Sequence, residues 1–165
     1  MSARTSYHFT PDEDPRALIV AALASEKQEV CLSAYAFTDR QIAAQLEANH
    51  ASAKAPAQLV LADLSEYQNP NLPLMKQLID ELRVAGLDVL LGTSSRAGEI
   101  LHSKYLLCKA QHLVITGSYN FTASAHLQDN TFTVIKSTAV WTQFRAHFDA
   151  ARAWVQAHVA QPPLP

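Results

Sequence analysis

Apolar residues along the chain follow two spacings, one typical of strands and one typical of helices. Two short runs, 30–37 and 59–62, are almost wholly apolar, as strands buried on both faces tend to be. Asp14 followed by Pro15 supplies an N-cap and a proline at the first helical position. The first half of the chain is predicted to contain these elements in order: strand 7–10, a helix from 15, strand 30–37, a helix opened by a capping box at Thr38, strand 59–62, a polar loop over 65–73, helix 74–85 ending at Gly86, and strand 87–91.

The second half departs from this regular alternation. Strands over 101–108 and 113–116 are close enough in sequence to form a hairpin, the stretch 120–128 is irregular or weakly helical, and a strand follows over 131–135. A final helix over 139–159 places five apolar side chains on one face: Trp141, Phe144, Phe148, Ala151 and Val155. The prediction is one α/β domain over 1–160, a mixed and mostly parallel sheet with helices on both faces, followed by a disordered proline-rich tail over 161–165.

Composition narrows the functional classes. The 165 residues are 48% hydrophobic and 17% charged, the balance of a globular domain, and the net charge is −2. A protein that binds nucleic acid by bulk attraction is usually basic, so a phosphate partner of this chain must be held at a local site. No apolar run approaches the ~20 residues that cross a bilayer, so we expect no stable membrane association. The expected location is cytoplasmic, or periplasmic if a leader has been removed.

His102 and Lys104 are the first residues whose pattern indicates chemistry. Two residues apart on a strand, they project from one face, while Ser103 and Tyr105 point the other way. An imidazole and an ammonium held that close repel each other unless an anion lies between them, and a phosphate fits this description. Lys104 would supply a point charge, and His102 a nucleophile or an acid.

Gly117, Ser118 and Asn120 follow the second strand of the hairpin, near the end where His102 begins the first. Gly117 allows the main chain to turn and approach a ligand, and Ser118 and Asn120 offer a hydroxyl and an amide for phosphate oxygens. None of the three adds charge, so this site does not require a basic protein.

Together these residues resemble the signature of the phospholipase D superfamily, which is His-x-Lys, an Asp five residues after the lysine, and then Gly-Ser-x-Asn. The likeness is closest to the small bacterial endonucleases that carry one motif per chain, and it covers almost the whole sequence. It includes the stretches 34–38 and 116–122 and the acid–Asn pair at Asp129 and Asn130. The resemblance implies a phospholipase D-like fold.

It also implies a phosphodiesterase that needs no metal or cofactor and cleaves DNA or RNA. By motif position, His102 would attack phosphorus, Lys104 and Asn120 would bind the phosphate oxygens with support from Ser118, and Asp129 would fix the tautomer of His102. Since each chain has one motif, the second histidine would come from the partner in a homodimer. Arg96, Ser103 and Gly117 are further candidates for substrate contacts.

Lys109 stands where the family has its Asp. Alternation turns this position away from the face of Lys104, and the residue lies at the predicted hairpin tip. We therefore expect its identity to affect the hairpin more than catalysis. Asp63 and Glu66 have no third partner nearby for a metal site. Tyr35 is more typical of a core residue than of a base-stacking platform, and His147 is typical of a solvated or satisfied helix histidine.

Two other functions remain open. The same phosphohistidine chemistry would serve a phospholipid or cardiolipin phosphodiesterase, although no dense basic amphipathic face is present to bind a membrane. The chain could also be a catalytically silent nucleic-acid-binding or dimerisation module, for which Lys109 and the negative net charge are the only support.

Overall fold

The computed structural model describes residues 4–52, 56–96 and 99–164, and these form seven strands and five helices. The strands are β1 (Arg4–Thr10), β2 (Glu29–Ala34), β3 (Ala57–Asp63), β4 (Asp88–Gly92), β5 (Tyr105–Cys108), β6 (Leu113–Gly117) and β7 (Asn130–Lys136). The helices are α1 (Pro15–Ser25), α2 (Arg40–His50), α3 (Leu64–Tyr67), α4 (Pro73–Val84) and α5 (Thr138–His158). One 3-10 turn, Ala125–Leu127, lies in the stretch predicted to be irregular.

All seven strands join one mixed sheet in the order β1-β7-β6-β5-β2-β3-β4. The α/β class and the mixed sheet are confirmed, but the expectation that most strands are parallel is wrong. Among the described strands, only the β2–β3 and β3–β4 pairs are parallel, and the other four pairs are antiparallel. The reason is topological, because the β5–β6 hairpin lies between β2 and β7, and both of its outer pairings run antiparallel.

Helices cover both faces of the sheet, as predicted, but unequally. The larger apolar cluster joins α1, α2 and α4 to one face, through residues such as Leu23, Leu46 and Leu78. On the other face α5 is the one helix among the described residues, with Phe148 and Val155 fully buried against Leu61, Leu107 and neighbouring side chains. One helix spans about 10 Å, much less than seven strands at ~4.8 Å spacing. Part of this second face is therefore left uncovered by α5.

One row of side chains crosses this second face from edge to edge. Directly opposed residues in paired strands share a face, and the register links seven of them, one from each strand. In sheet order they are Tyr7, Thr133, Thr116, Tyr105, Ser33, Leu61 and Leu90. Leu61 and Tyr105 are buried beneath α5, whereas Tyr7 at the β1 end is 69% exposed.

Several local predictions are confirmed, including the Asp14 cap on α1 and Gly86 after α4, where φ is +90°. Three others are wrong. The cap of α2 is Asp39 and not Thr38, since the Asp39 carboxylate accepts the N–H groups of Gln41 and Ile42. A short helix, α3, replaces part of the predicted loop over 65–73, because Asp63 caps it. Finally, β5 begins only at Tyr105, so His102 and Lys104 precede the strand.

The start of the predicted tail is tied to the domain. Gln161 accepts the Leu91 N–H and donates to the Leu91 carbonyl, both at 2.8 Å, and Arg83 donates to the Pro162 carbonyl at 2.5 Å. Residues 1–3 of the predicted domain and Pro165 of the predicted tail lie outside the described residues. Across 4–52, 56–96 and 99–164, no helix combines the length and the apolar character that a membrane span needs.

Candidate active site

Three segments of the chain converge at one end of the sheet: the residues after β2, those before β5, and those after β6. The hairpin register sets Tyr105 opposite Thr116, which places His102 and Lys104 beside Gly117. The Phe121 carbonyl accepts the N–H groups of Thr38 and Asp39, each at 3.0 Å, and this joins the third segment to the first. The two halves of the motif are therefore neighbours in space.

His102 and Lys104 both lie against the ring of Tyr35. The imidazole of His102 is exposed, and its centre is 4.5 Å from that of the Tyr35 ring. The Lys104 Nζ lies 4.9 Å from the centre of the same ring and donates a 2.7 Å hydrogen bond to the His102 carbonyl. Tyr35, interpreted from the sequence as a core residue, is therefore the common neighbour of both motif side chains.

Lys104 is only 8% exposed, which is unusual for a lysine. Lys104 lines a very small cavity whose other walls are mostly apolar: Ile19, Ile115, Thr116, Gly117, Tyr119, Phe121 and Phe132. Burial lowers the pKa of Lys104, and the negative charge of Asp63 opposes that effect. A poorly hydrated ammonium gains more from an arriving anion than a solvated one does, so the position suits a phosphate-binding role.

Two cavities adjoin this pair on the α5 side of the sheet. One, of about 450 Å³, is lined by both motif halves, including His102, Lys104, Thr116 and Gly117. The other, of about 390 Å³, extends towards Trp154 and the loop after β4. Four residues line both cavities: His102, Ser103, Tyr105 and His147.

His147 is an exposed residue of α5, as predicted, and it also lines both cavities. Its ring centre lies 6.3 Å from that of Tyr105. The sequence does contain a signal for this position, because His147 is three residues after Phe144 and next to Phe148. It therefore borders the apolar face by which α5 packs on the sheet.

Gly117 and Ser118 make their close contacts with β7. A Cβ at Gly117 would come within 2.2 Å of the Thr131 carbonyl, so the close approach of β7 requires glycine here. The Ser118 hydroxyl donates to Asn130 Oδ1 at 3.1 Å and accepts the Thr131 N–H at 3.0 Å. The packing of β7 is therefore sufficient reason for glycine at position 117, and the approach of a ligand to Gly117 stays a prediction.

Asn120 differs from Ser118 in that its side-chain oxygen is unpaired within the part of the chain that the structure describes. Its Oδ1 is buried and has no hydrogen-bond partner among the described residues. The following residue, Phe121, forms an isolated bridge with Phe37 and so holds Asn120 beside the end of β2. A phosphate oxygen is an acceptor, so Asn120 would serve a phosphate site through its Nδ2 donor and not through this Oδ1.

The pairing of Asp129 with His102 that the resemblance implies is not formed. Asp129 is exposed and makes no hydrogen bond or ion pair within the part of the chain that the structure describes. The cause lies in its neighbour, Asn130, whose amide donates to the Ala125 carbonyl while its N–H donates to Thr10 Oγ1. These bonds close the short segment through the 3-10 turn and leave the Asp129 carboxylate at the surface.

The remaining candidates differ in position. Ser103 lines both cavities, but Arg96 is exposed on the loop after β4 and lines neither. Lys109 lies at the tip of the β5–β6 hairpin, as predicted, where its N–H donates to the Glu29 carbonyl. Lys109 is five positions after Lys104, which corresponds to ~16 Å along an extended chain.

Asp63 has a structural task that the sequence did not indicate. Its carboxylate is fully buried, caps α3 through the Glu66 N–H at 2.9 Å, and accepts the Leu101 N–H at 2.7 Å. Within residues 4–52, 56–96 and 99–164, no three His, Cys, Asp or Glu side chains gather as metal ligands do.

The fold matches solved structures along nearly its whole length. Nuc from Salmonella typhimurium, a phospholipase D family member, is 21% identical with a TM-score of 0.77, and the match covers 93% of this chain and 96% of Nuc. NucT from Helicobacter pylori is 17% identical with a TM-score of 0.78, over 92% of this chain and 97% of NucT. Phosphatidylserine synthase from Haemophilus influenzae is 10% identical with a TM-score of 0.69, over 97% of this chain and 40% of the synthase.

The sequence comparisons give a family and no individual relative. No curated protein sequence matches the chain significantly. Residues 19–152, which contain every strand but β1 and include His102 through Asn130, match the family described as "Cardiolipin synthase, PLD-like domain". The chain therefore belongs to the family of phospholipase D-like domains.

Proposed function

We propose that this protein is a phosphodiesterase that cleaves DNA or RNA through a phosphohistidine at His102, without a metal, in an active site shared by two copies of the chain. The observation that carries the proposal is the cavity of about 450 Å³ lined by His102, Lys104 and Gly117 together. Membership in the phospholipase D-like family supports phosphodiester chemistry. The resemblance to small single-motif endonucleases and the full-length match to Nuc and NucT favour nucleic acid as the substrate.

In the proposed first step, an imidazole nitrogen of His102 attacks phosphorus, and the bond from phosphorus to the leaving oxygen breaks. A second histidine donates a proton to that oxygen. In the second step the same histidine removes a proton from water, whose oxygen attacks phosphorus and releases His102. Lys104 and the Asn120 amide hold the non-bridging oxygens and stabilise the charge that develops on them.

The second histidine in this proposal is the His102 of a second copy. The uncovered part of the α5 side supports self-association, because Tyr7 and Phe9 project there and are 69% and 53% exposed. Tyr7 shares its row with Thr116, which lines the cavity of the candidate site. Exposed aromatic side chains on the face that also carries the site are suited to an interface that includes the site.

The proposal is tested by incubation with single-stranded DNA, duplex DNA, RNA and phospholipid vesicles in excess EDTA. We expect nucleic acid cleavage that survives EDTA and disappears in His102→Ala. His50→Ala is the matched control, because His50 is an exposed histidine at the end of α2, outside the candidate site. Cleavage that needs a metal, or that persists in His102→Ala, would overturn the mechanism.

The other outcomes identify the alternatives. Turnover of phospholipid alone would establish the lipid phosphodiesterase, and binding of nucleic acid without turnover would establish the silent module. Light scattering tests the shared site separately, with a dimer expected for the wild type. We expect Tyr7→Ser combined with Phe9→Ser to give monomers and to lose activity, whereas a fully active monomer would exclude the shared site.

A further inference from the structure

Leu101, immediately before the candidate nucleophile, is held from two directions. Its side chain is 6% exposed within the apolar cluster under α5, and its N–H donates to Asp63 Oδ2 at 2.7 Å. Because Leu101 lies outside any strand, this carboxylate takes the place of a ladder partner. Asp63 therefore determines where the main chain places His102.

The other carboxylate oxygen of Asp63 is connected to the same site through a second set of hydrogen bonds. Oδ1 accepts the Glu66 N–H at 2.9 Å and the Ser65 hydroxyl, and so holds the short helix α3. The Glu66 carboxylate in turn accepts the Tyr35 hydroxyl at 2.7 Å. Tyr35 is the ring against which both His102 and Lys104 lie, so the contacts form a closed circuit from Asp63 back to Asp63.

We propose that Asp63 is a positioning residue for His102 and Lys104, acting on the main chain through Leu101 and on the side chains through Glu66 and Tyr35. The inference rests on the proposed function for what His102 and Lys104 do. A misplacement of about 1 Å at reacting groups can lower the rate on the order of a hundredfold. A buried anchor of this kind thus has a direct effect on turnover.

The negative charge of Asp63 has a second effect on the site. This effect distinguishes a positioning role of Asp63 from a purely structural one. Asp63 raises the pKa of Lys104, whereas burial lowers it. The other titratable groups facing or backing Lys104 are His102, Tyr35 with Glu66 behind it, and Tyr119. The pKa of Tyr35 is raised to about 12 by its hydrogen bond to Glu66, and that of Tyr119 to about 12 by burial. Among these groups, Asp63 is the carboxylate whose negative charge raises the pKa of Lys104.

The test compares Asp63→Asn with Glu26→Gln. Glu26 is a matched control because it is also a buried carboxylate, 1% exposed, that accepts main-chain N–H groups, those of Lys27, Gln28 and Ala110. Glu26 directly follows α1, and its carboxylate reaches the hairpin tip at Ala110, at the opposite end of β5 from His102. Each amide variant turns an NH₂ group towards N–H donors and so lowers stability.

For Asp63→Asn we expect kcat to fall about 10-fold to 100-fold with KM changed less than about threefold. The alkaline limb of the pH–rate profile should move to lower pH, because Lys104 loses its negative neighbour. For Glu26→Gln we expect a similar loss of thermal stability with kcat within about twofold and an unchanged profile. If Asp63→Asn keeps wild-type kcat and pH profile, or behaves as Glu26→Gln does, the inference is wrong.

A variant at Tyr35 and a spectroscopic measurement keep the inference testable if Asp63→Asn does not fold. Tyr35→Phe retains the ring and should keep more activity than Tyr35→Leu, which removes it. Nuclear magnetic resonance of the wild type should show slow hydrogen exchange at the Leu101 amide, and fast exchange there would contradict the anchor. The amide exchange measurement needs no turnover, whereas the Tyr35 variants are compared by their activity. If the wild type shows no His102-dependent cleavage, the proposed function is wrong. The hydrogen exchange rate of the Leu101 amide still tests whether Asp63 anchors the main chain.

Discussion

Lys104 donates its 2.7 Å hydrogen bond to the main-chain oxygen of His102, so the two motif residues are joined directly and not only through a shared face. An ammonium has three donors, and this bond together with the Tyr35 ring leaves part of the group free for an anion. The arrangement also explains how an imidazole and an ammonium can be neighbours. The lysine is held by a carbonyl dipole and a π-face, both of which favour its charge.

Replacement of Lys104 by Met should separate stability from activity. The side chain is 8% exposed above mostly apolar walls, so an unbranched apolar residue fits the same space and avoids the cost of desolvating an ammonium. We expect the melting temperature of Lys104→Met to equal or exceed that of the wild type, while cleavage falls at least about 100-fold. Differential scanning calorimetry and the EDTA assay measure the two effects. A destabilised variant with normal kcat would contradict this assignment.

Ser118 and Asn120 should respond to alanine in opposite ways. Ser118→Ala removes the hydroxyl that binds Asn130 and Thr131, so we expect a loss of about 1 kcal/mol in the free energy of unfolding and only a few-fold loss of kcat. Asn120→Ala removes an amide whose Oδ1 has no partner among the described residues, so stability should change little while kcat falls about 100-fold. Urea unfolding with parallel kinetics tests the pair, and the reverse pattern would exchange the two roles.

Lys109→Asp restores the acid found at this position in the family. Because the residue lies at the hairpin tip, ~16 Å along the chain from Lys104, we expect kcat to remain within about twofold of the wild type. Stability should fall slightly, since the new carboxylate adjoins Ala110, whose N–H binds Glu26. A gain of tenfold or more in kcat would show that the position acts on the site.

A shared active site predicts a particular response to mixing. When wild-type protein is equilibrated with a folded, inactive His102→Ala variant, only dimers with two intact histidines should turn over fully. Specific activity per total chain should then fall as the square of the wild-type fraction. A linear fall, measured after subunit exchange has been verified by labelling, would mean that each chain works alone.

The low net charge predicts a weak dependence of binding on salt. With a net charge of −2 and phosphate contacts limited to Lys104 and few other cations from each copy, the slope of log K against log salt should be about −2 to −4. Fluorescence anisotropy with the inactive His102→Ala variant measures this slope. A much steeper slope would indicate a basic groove formed between the two copies.

Local signals were the part of the fold that could be predicted from sequence. The Asp14 cap, Gly86 after α4, the β5–β6 hairpin and the apolar face of α5 depend on residues close together in the chain, and all are present. The sheet was harder to predict, because the position of the hairpin between β2 and β7 is a long-range choice. It makes most of the pairings antiparallel.

In the candidate site, too, the local signals could be predicted from the sequence and the long-range contacts could not. The motif predicted that His102, Lys104 and Gly117 would be neighbours, yet it could not predict the bond between Asp63 and Leu101, 38 residues apart, which stands in for the start of a strand. The sequence around Tyr35 is typical of a core residue and that around His147 of a surface helix. Only the packing of the three segments and of α5 brings these two side chains to His102. The implied pairing of Asp129 with His102 is absent for a similar reason, because the hydrogen bonds of Asn130 determine the course of the segment before it.

The central claim is that His102 forms a bond to phosphorus, and trapping that bond tests it most directly. A nucleic acid labelled with ³²P at internal phosphates would be mixed with the protein in EDTA, quenched within milliseconds, and the protein digested for mass mapping. The account predicts an acid-labile, alkali-stable label on the peptide that contains His102, absent from His102→Ala and present in His50→Ala. Rapid EDTA-resistant turnover with no label at any quench time, or a label on another residue, would contradict it.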